Sequence, residues 1–287
     1  MEIRKKPLEW LIVGSTSPLA QTIYATLGTS DLFLHRASRT KNIGEYYFDL
    51  EKGIFNFPVS KHAGKAIICA GINNIKSCDD NPKKTYLINV EQTIQLIKHL
   101  TDLGWDFIYL STTQVFSGEA SMCKPKSSRE PSTIFGQQKK IVEDYILRYH
   151  PSAYIIRITK LLNFQLEPFN GWITKFLANE QVQIYDGVRI APLTYTSAAL
   201  GIYKIVTEGE PGVWHLGATA EICYPEIAYF ILDKLNKISQ NSLNITKVHD
   251  KNIKKASLNC TKTLQRTSWT CEPLSVILDT AWNKVIL

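Results

Sequence analysis

Cysteine pairs, metal-ligand spacings and long apolar runs are all missing from this 287-residue chain. Its six cysteines show no Cys-x-x-Cys spacing, and a chain of this length does not need disulfides, so we expect reduced thiols in a cytoplasmic protein. The apolar run Leu8–Val13 is broken by Glu9 and ends at Gly14, which is too short for a signal-peptide core or a membrane span. Its six histidines show no His-x-x-x-His spacing, so we expect no metal site.

Charge is also unremarkable in its distribution. Apolar residues make up 44% and charged residues 21% of the chain, as in ordinary globular enzymes. The net charge of +7 favours anionic ligands such as nucleotides. There is no long Lys/Arg tract, and the densest basic region, Lys247–Lys262, is better explained as a solvated face. We therefore expect no nucleic-acid partner and no membrane partner.

Short apolar runs alternate with helix-like stretches through the first half of the chain. The predicted strands are Leu8–Val13, Asp31–Leu34, Glu45–Phe48, Ala66–Ala70, Phe107–Leu110 and Ala153–Ile158. The predicted helices are Pro18–Leu27, Pro82–Leu103 and Ser132–Tyr149. Strand and helix in alternation indicate βαβ units, so we predict an α/β fold with a Rossmann-type doubly wound parallel sheet.

The second half has a looser pattern. It predicts helices at Trp172–Ala178, Thr196–Val206 and Pro225–Leu235, and a strand at Gln183–Tyr185. Ser or Thr near the start of the second helix is a suitable cap. We predict a dinucleotide-binding domain over residues 1–160 and a small mixed α/β substrate lobe over 161–287, from which some segments can return to the sheet.

A turn between the first strand and the first helix suits a phosphate. It reads Gly14-Ser15-Thr16-Ser17-Pro18-Leu19. Glycine allows backbone amides to approach a pyrophosphate at a helix N-terminus, and proline suits the first helical turn. On so short a match, a strand-to-helix loop without a ligand is an equal alternative.

Cofactor choice is predicted at Ser38-Arg39, after the second apolar run. An acid there would bind a ribose 2′-hydroxyl, whereas an arginine accepts a 2′-phosphate. The absence of an acid and the presence of Arg39 favour NADP, with NAD as the alternative. An exposed arginine without this role is the other interpretation, and Arg36 competes for the role.

Phe135-Gly136-Gln137-Gln138-Lys139 resembles a Tyr-x-x-x-Lys motif without its tyrosine. Residues four apart share a helix face, so positions 135 and 139 point the same way. In such a motif the ammonium lowers the pKa of the phenol, which can then exchange a proton near neutrality. A phenyl ring cannot.

The order and spacing of these features resemble the extended short-chain dehydrogenase/reductases, in particular the branch of dTDP-4-dehydrorhamnose reductase. The resemblance runs through nearly the whole chain. Its other segments are Phe48-Asp49-Leu50, Cys69-Ala70-Gly71, Cys78–Pro82 with Asn89-Val90, Arg157, Ala191-Pro192 and Gly212–Leu216.

The resemblance implies roles for individual residues. Asp49 and Leu50 would approach the adenine, and Cys69-Ala70-Gly71 would form a cofactor turn. Thr112 would hold the substrate carbonyl and Lys139 the nicotinamide ribose, while Asn89 would position Lys139 through water. The substrate would be a nucleotide-activated sugar, and the reaction the reduction of its 4-keto group for polysaccharide precursor synthesis.

Three departures from the family pattern keep alternatives open. Ser17 and Ala20 replace glycines, Phe135 replaces the tyrosine acid, and Ser197 replaces an aspartate at a predicted helix start, where serine also caps. Thr112 could simply cap the following turn, Lys139 could face solvent and Phe135 could be core packing. The second hypothesis is therefore a regulatory subunit that binds NADP or a sugar nucleotide without turnover, with a partner enzyme or as a homodimer. The β subunit of methionine adenosyltransferase is similar to this branch.

Overall fold

The computed structural model describes residues 9–28, 33–40, 43–59, 64–235, 245–249 and 254–285. In chain order the described strands are β1 (Glu9–Val13), β2 (Phe33–Ser38), β3 (Tyr46–Asp49), β4 (Ile54–Phe55), β5 (Lys65–Ile68), β6 (Asp106–Thr112), β7 (Tyr154–Ile158), β8 (Val182–Tyr185), β9 (Arg189–Ile190), β10 (Gly212–Leu216), β11 (Ile222–Cys223), β12 (Ile245–Val248) and β13 (Lys255–Ala256).

Helices lie between many of these strands. They are α1 (Pro18–Leu27), α2 (Ile75–Asp80), α3 (Pro82–Tyr86), α4 (Thr93–Asp102), α5 (Ile134–Tyr149), α6 (Phe169–Leu177), α7 (Tyr195–Glu208) and α8 (Tyr224–Lys234), followed by two further helices at Thr261–Arg266 and Leu274–Trp282. A π-helical segment, Leu87–Gln92, joins α3 to α4, and a 3-10 turn, Thr113–Val115, follows β6. None of the described helices is both long and apolar enough to cross a membrane.

An eight-stranded sheet forms the centre of the fold. Its strand order is β10-β7-β6-β5-β1-β2-β3-β4, and every neighbouring pair is parallel except β3 with β4. The order reverses between β1 and β5, and ligands of such sheets bind outside the carboxyl ends at this switch point. The predicted doubly wound α/β fold is confirmed. Strand β10 returns to this sheet from the second half of the chain and pairs with β7.

Two apolar cores cover the faces of the sheet, and a third fills the lobe. Helices α1 and α7 pack on one face, around Trp10 and Trp214, whereas α4 and α5 pack on the other, around Leu100 and Tyr109. The lobe core combines aliphatic side chains with the buried aromatic residues Phe164, Phe169, Trp172 and Phe176. Parallel strands covered on both faces require continuous apolar runs, and such runs in the sequence therefore predicted the strands.

Three elements differ from the sequence prediction. The strand predicted at Asp31–Leu34 runs from Phe33 to Ser38, while Asp31 and Leu32, like Leu8 of the first predicted strand, lie outside the described residues. The helix predicted at Pro82–Leu103 contains the π segment. The capping role predicted for Ser197 is wrong: α7 begins at Tyr195, Thr194 is its cap, and the Ser197 amide donates to Thr194 Oγ1 at 3.0 Å.

Candidate active site

The turn after β1 is tight and leads directly into the N-terminus of α1. Gly14 has φ of +85°, and a Cβ there would lie 2.8 Å from the Ala70 backbone, so only glycine fits. Ser17 caps α1 by accepting a hydrogen bond from the Ala20 amide at 3.2 Å. The Ser15 hydroxyl is buried and has no hydrogen-bond partner among the described residues. A buried hydroxyl without a partner, beside a helix N-terminus, fits a phosphate of a dinucleotide.

The predicted adenosine-binding residues lie at the ends of the next two strands. Ser38 ends β2, and its hydroxyl accepts a hydrogen bond from the Thr40 amide at 2.9 Å. The Arg39 side chain is 67% exposed, with its guanidinium 3.9 Å from Glu51, so it is accessible to a ligand. Asp49 ends β3 and accepts hydrogen bonds from the Glu51 and Lys52 amides, which orders the turn beginning at Leu50.

Arg36, the competing arginine, is less available for a 2′-phosphate. Its guanidinium lies 4.1 Å from the centroid of the Tyr24 ring, and its Nε is buried. The residue lies within β2, two positions before Ser38. Of the two arginines, Arg39 therefore has the more accessible position.

The turn after β5 is tied to α5 through buried amides. Cys69, Ala70 and Gly71 follow β5 directly, and Gly71 has φ of +141°. Asn89 binds the next residue from both sides: its Oδ1 accepts from the Ile72 amide and its Nδ2 donates to the Ile72 carbonyl, both at 2.8 Å. The same Nδ2 donates to Gln138 Oε1 at 2.8 Å.

Asn89 is hydrogen-bonded to α5, the helix that carries Phe135 and Lys139. Gln138 immediately precedes Lys139 and donates its Nε2 to Thr85 Oγ1 at 2.9 Å. The side-chain amide of Asn89 thus connects the turn Cys69–Gly71, through Ile72, to Gln138 of α5. The π segment that contains Asn89 is a type of helical distortion common at functional sites.

Thr112 ends β6 and caps the 3-10 turn that follows. Its Oγ1 accepts a hydrogen bond from the Gln114 amide at 3.2 Å, which leaves the hydroxyl proton for donation to a ligand. The turn packs directly on α5, because a Cβ at Gly136 would lie 2.0 Å from the Gln114 carbonyl oxygen. This glycine lets the start of α5 approach the end of β6.

Lys139 lies between the end of β6 and the helix that carries it. Its Nζ donates to the Leu110 carbonyl at 2.9 Å and lies 5.9 Å from the centroid of the Phe135 ring. Burial lowers the pKa of the Lys139 ammonium to about 8, against the opposing effect of Glu143. Phe135 itself is buried and contributes hydrocarbon only. The alternative of a solvent-facing Lys139 is therefore excluded by its contacts.

Neither Tyr109 nor Cys69 could take the place of a phenol at position 135. Tyr109 lies 4.6 Å from Lys139 Nζ at its ring centroid, but its hydroxyl is buried in the core and burial raises its pKa well above the ordinary value. Burial also raises the pKa of the Cys69 thiol to about 12. Of these three groups, the Lys139 ammonium is the one that can release a proton near neutral pH.

A buried network of ion pairs lies one helical turn beyond Lys139 on α5. Its central residue, Glu143, is not among the residues predicted from the sequence. Glu143, fully buried, accepts hydrogen bonds from Ser111, from Arg129 at 2.8 Å and from Arg157 at 2.9 and 2.7 Å. Arg157 also donates to His215 Nε2 at 3.2 Å. The i+4 spacing from Lys139 was the available signal, because it places Glu143 on the same helix face.

The strand order and the glycine turn where that order reverses define a protein of the Rossmann-type α/β class. Within that class the chain belongs to the RmlD substrate binding domain family, whose model matches residues 9–275. The predicted family is thereby confirmed.

The chain is similar in sequence or structure to known proteins of related kinds. The spore coat polysaccharide biosynthesis protein SpsK of Bacillus subtilis is 23% identical over 167 residues, which cover 58% of this chain and 59% of SpsK. A dTDP-4-dehydrorhamnose reductase from Clostridium acetobutylicum has a TM-score of 0.79 and 17% identity, over 96% of this chain and 99% of that one. The Bacillus anthracis reductase, in complex with NADP, has a TM-score of 0.80 and 15% identity, over 98% and 100%.

Proposed function

We propose that the protein is an NADPH-dependent reductase that acts on the 4-keto group of a nucleotide sugar in polysaccharide precursor synthesis. The observation that carries the proposal is the hydrogen bond from the Lys139 ammonium to the carbonyl of Leu110, two residues before Thr112 at the end of β6. Burial, which lowers the pKa of this ammonium to about 8, supports it. The family, the name of SpsK and the reductase activity of the two structural neighbours support the substrate class.

Residues at three strand ends would hold the cofactor, which supplies hydride when bound. The turn Gly14–Leu19 would bind the pyrophosphate, and the turn Cys69–Gly71 would lie against the dinucleotide. Arg39, exposed at the end of β2, favours the 2′-phosphate of NADP over the free hydroxyl of NAD. The buried Ser15 hydroxyl supports the assignment, because a phosphate oxygen would give it the partner it lacks.

The chain's own polar groups would then handle the carbonyl oxygen. The Thr112 hydroxyl, whose oxygen already accepts from the Gln114 amide, would donate its proton in a hydrogen bond to the carbonyl. The Lys139 ammonium would transfer one proton to the oxygen as the carbonyl becomes an alcohol, and would regain it from solvent. A general acid with a pKa near the working pH is the most effective kind.

Phe135 supports a second candidate, a binding protein without turnover that regulates a partner enzyme. Its ring occupies the tyrosine position as buried hydrocarbon, and Tyr109 cannot substitute because its hydroxyl lies in the core. Loss of a positioned acid costs about 10²- to 10⁴-fold in rate. A protein that has lost this group can keep its ligands while losing its reaction.

Binding and turnover measured on the same samples separate the two candidates. NADPH binding is measured by calorimetry, and NADPH consumption with a panel of 4-keto nucleotide sugars, for wild type, Phe135→Tyr and Thr112→Ala. Thr207→Ala is the matched control, because this threonine is exposed near the end of α7.

The reductase proposal expects slow turnover by wild type that Thr112→Ala abolishes and Thr207→Ala leaves unchanged, with all four proteins binding NADPH. Tight NADPH binding with no turnover until Phe135→Tyr restores the phenol would support the regulatory candidate instead. Absence of NADPH binding in wild type would reject both.

A further inference from the structure

A single loop joins the end of β6, where Thr112 lies, to the start of α5, which carries Lys139. It covers residues 116–133, between the 3-10 turn and the helix. The two polar groups proposed to handle the carbonyl therefore flank this loop. Its conformation is set partly by a distant segment of the chain, residues 254–260.

Backbone hydrogen bonds attach the loop to that segment. The Lys255 amide donates to the Gly118 carbonyl at 2.7 Å. Further along the loop, the Cys123 carbonyl accepts from the Asn259 amide at 2.9 Å. Lys255 belongs to β13, the edge strand of a three-stranded lobe sheet in the order β11-β9-β13. The loop therefore lies along the edge of β13 that β9 leaves open.

A small apolar core fills the space between the 3-10 turn and this segment. Its buried members come from the turn, the loop and the segment, namely Val115, Phe116, Cys123, Leu258 and Cys260. Thr112 caps the same turn through its contact with the Gln114 amide. The packing of residues 258 and 260 therefore bears on the position of Thr112, because close-packed side chains transmit small displacements.

Ser257 makes the side-chain contact that holds the middle of the loop. It is buried, and its Oγ accepts a hydrogen bond from the Met122 amide at 2.7 Å. The same hydroxyl donates its proton to Glu221, just before β11 of the lobe. Because a serine hydroxyl has one proton, Glu221 orients it and leaves the oxygen free to accept from Met122. Ser257 thus connects the loop to the lobe.

Met122 depends on such a contact because of its backbone conformation. Its φ is +50°, in the left-handed region that residues with a Cβ rarely adopt. Conformations of this kind persist where surrounding contacts determine them, and they concentrate at functional sites. Without the bond from its amide to Ser257, Met122 can relax to an ordinary φ and displace the loop on both sides.

We propose that Ser257 is a positioning residue for the reduction. By holding the Met122 amide it fixes the loop and the 3-10 turn, and thereby keeps Thr112 in the position that binds the carbonyl. This inference rests on the proposed function, since it concerns the reaction of that same site. It differs from the proposed roles of Thr112 and Lys139, because Ser257 acts through the loop and not on the substrate itself.

Steady-state kinetics, counted per cofactor-binding site, tests this role. NADPH oxidation is followed with the panel of 4-keto nucleotide sugars, dTDP-4-dehydrorhamnose among them. The proteins are wild type, Ser257→Ala, the double variant Ser257→Ala/Met122→Gly and the control Ser121→Ala. Ser121 is an exposed serine of the same loop. Calorimetric titration with NADPH counts the binding sites of each protein, and kcat is expressed per site.

Ser257→Ala is expected to lower kcat per site by about 10- to 100-fold, as for a small displacement of a group that orients the reacting carbonyl. The KM of the keto sugar and the Kd of NADPH stay nearly unchanged, because misorientation affects the transition state more than binding. Met122→Gly restores most of the lost kcat, since glycine adopts a positive φ without a holding contact. Ser121→Ala behaves as wild type. A purely structural role would lower the number of sites and leave kcat per site unchanged.

A kcat per site that Ser257→Ala leaves unchanged would overturn this inference alone, and so would a loss that Met122→Gly does not reverse. Wild-type protein that binds NADPH but reduces none of the keto sugars would reject the proposed function, and the inference with it. If Ser257→Ala does not fold, Glu221→Ala removes the acceptor of the Ser257 hydroxyl and should lower kcat per site in the same direction. An unchanged kcat per site in Glu221→Ala would then overturn the inference.

Discussion

Helix α5 has two consecutive regions with opposite chemistry. Towards the middle of the helix, Glu143 is satisfied by a serine and two arginines in the buried network. One turn earlier, Lys139 has a single carbonyl acceptor, and the residue one further turn before it is the hydrocarbon Phe135. The carboxylate of this helix is therefore fully paired, whereas its neighbouring cation has one acceptor and a hydrocarbon side chain one turn away. The difference shows that the order of this helix face does not depend on a polar group at position 135.

The largest expected effect comes from removing the charge at the centre of the buried network. Glu143→Gln leaves the buried Arg157 without its carboxylate partner, so we expect the free energy of unfolding to fall by about 3–5 kcal/mol in urea titrations. The exposed Glu91→Gln serves as control and should change it by less than about 0.5 kcal/mol. A loss below about 1 kcal/mol for Glu143→Gln would show that the network is not what holds this region together.

The contact between the two regions and β6 is tested at Gly136. Gly136→Ala places a methyl group 2.0 Å from the Gln114 carbonyl oxygen, so α5 or the 3-10 turn must move, at a cost of about 1–3 kcal/mol. In the control Gly171→Ala, within α6, the added methyl group meets only the carboxylate of Glu167, a mobile side-chain end. Equal unfolding midpoints for the two variants would contradict the close approach of α5 to β6.

The smallest effect is the pH dependence of the buried network. Burial and the Arg157 guanidinium lower the pKa of His215 to about 3, below its ordinary value of 6.5. Between these values the unfolded chain binds a proton that the folded chain does not, so stability falls on acidification by at most about 1.4 kcal/mol per pH unit. His215→Asn should remove this contribution between pH 6.5 and 5, measured as the difference in slope between the two proteins. Parallel slopes would mean that His215 titrates normally.

Local sequence patterns predicted most of the central strands and the helices that cover them. Apolar runs predicted the central strands, because strands buried on both faces of a parallel sheet are nearly continuously apolar. Pro18 predicted the first residue of α1. The cap of α7 was misplaced because three nearby Ser and Thr residues satisfy the same rule. Only the surrounding packing selects Thr194, whose hydroxyl also donates to Glu272 at 2.8 Å.

The side-chain partners of Asn89 and Glu143 were not predicted, because they depend on contacts between residues far apart in the chain. The role of Asn89 in positioning Lys139 through water stays a prediction. Its direct partners, Ile72 and Gln138, were not predicted, and Gln138 lies 49 residues further along the chain. Glu143 was visible as an i+4 neighbour of Lys139, yet its charge gains meaning only from Arg129 and Arg157. Nothing local to these positions indicates which distant side chain will face them.

The central claim, that Lys139 supplies the proton in place of the missing phenol, is tested most directly by the pH dependence of kcat. With its pKa lowered to about 8, the ammonium is available below that pH, so kcat for the best 4-keto substrate should fall tenfold per pH unit above it. Lys139→Met should lose turnover while remaining folded. A wild-type kcat that stays constant to pH 10, or turnover retained by Lys139→Met, would contradict the account.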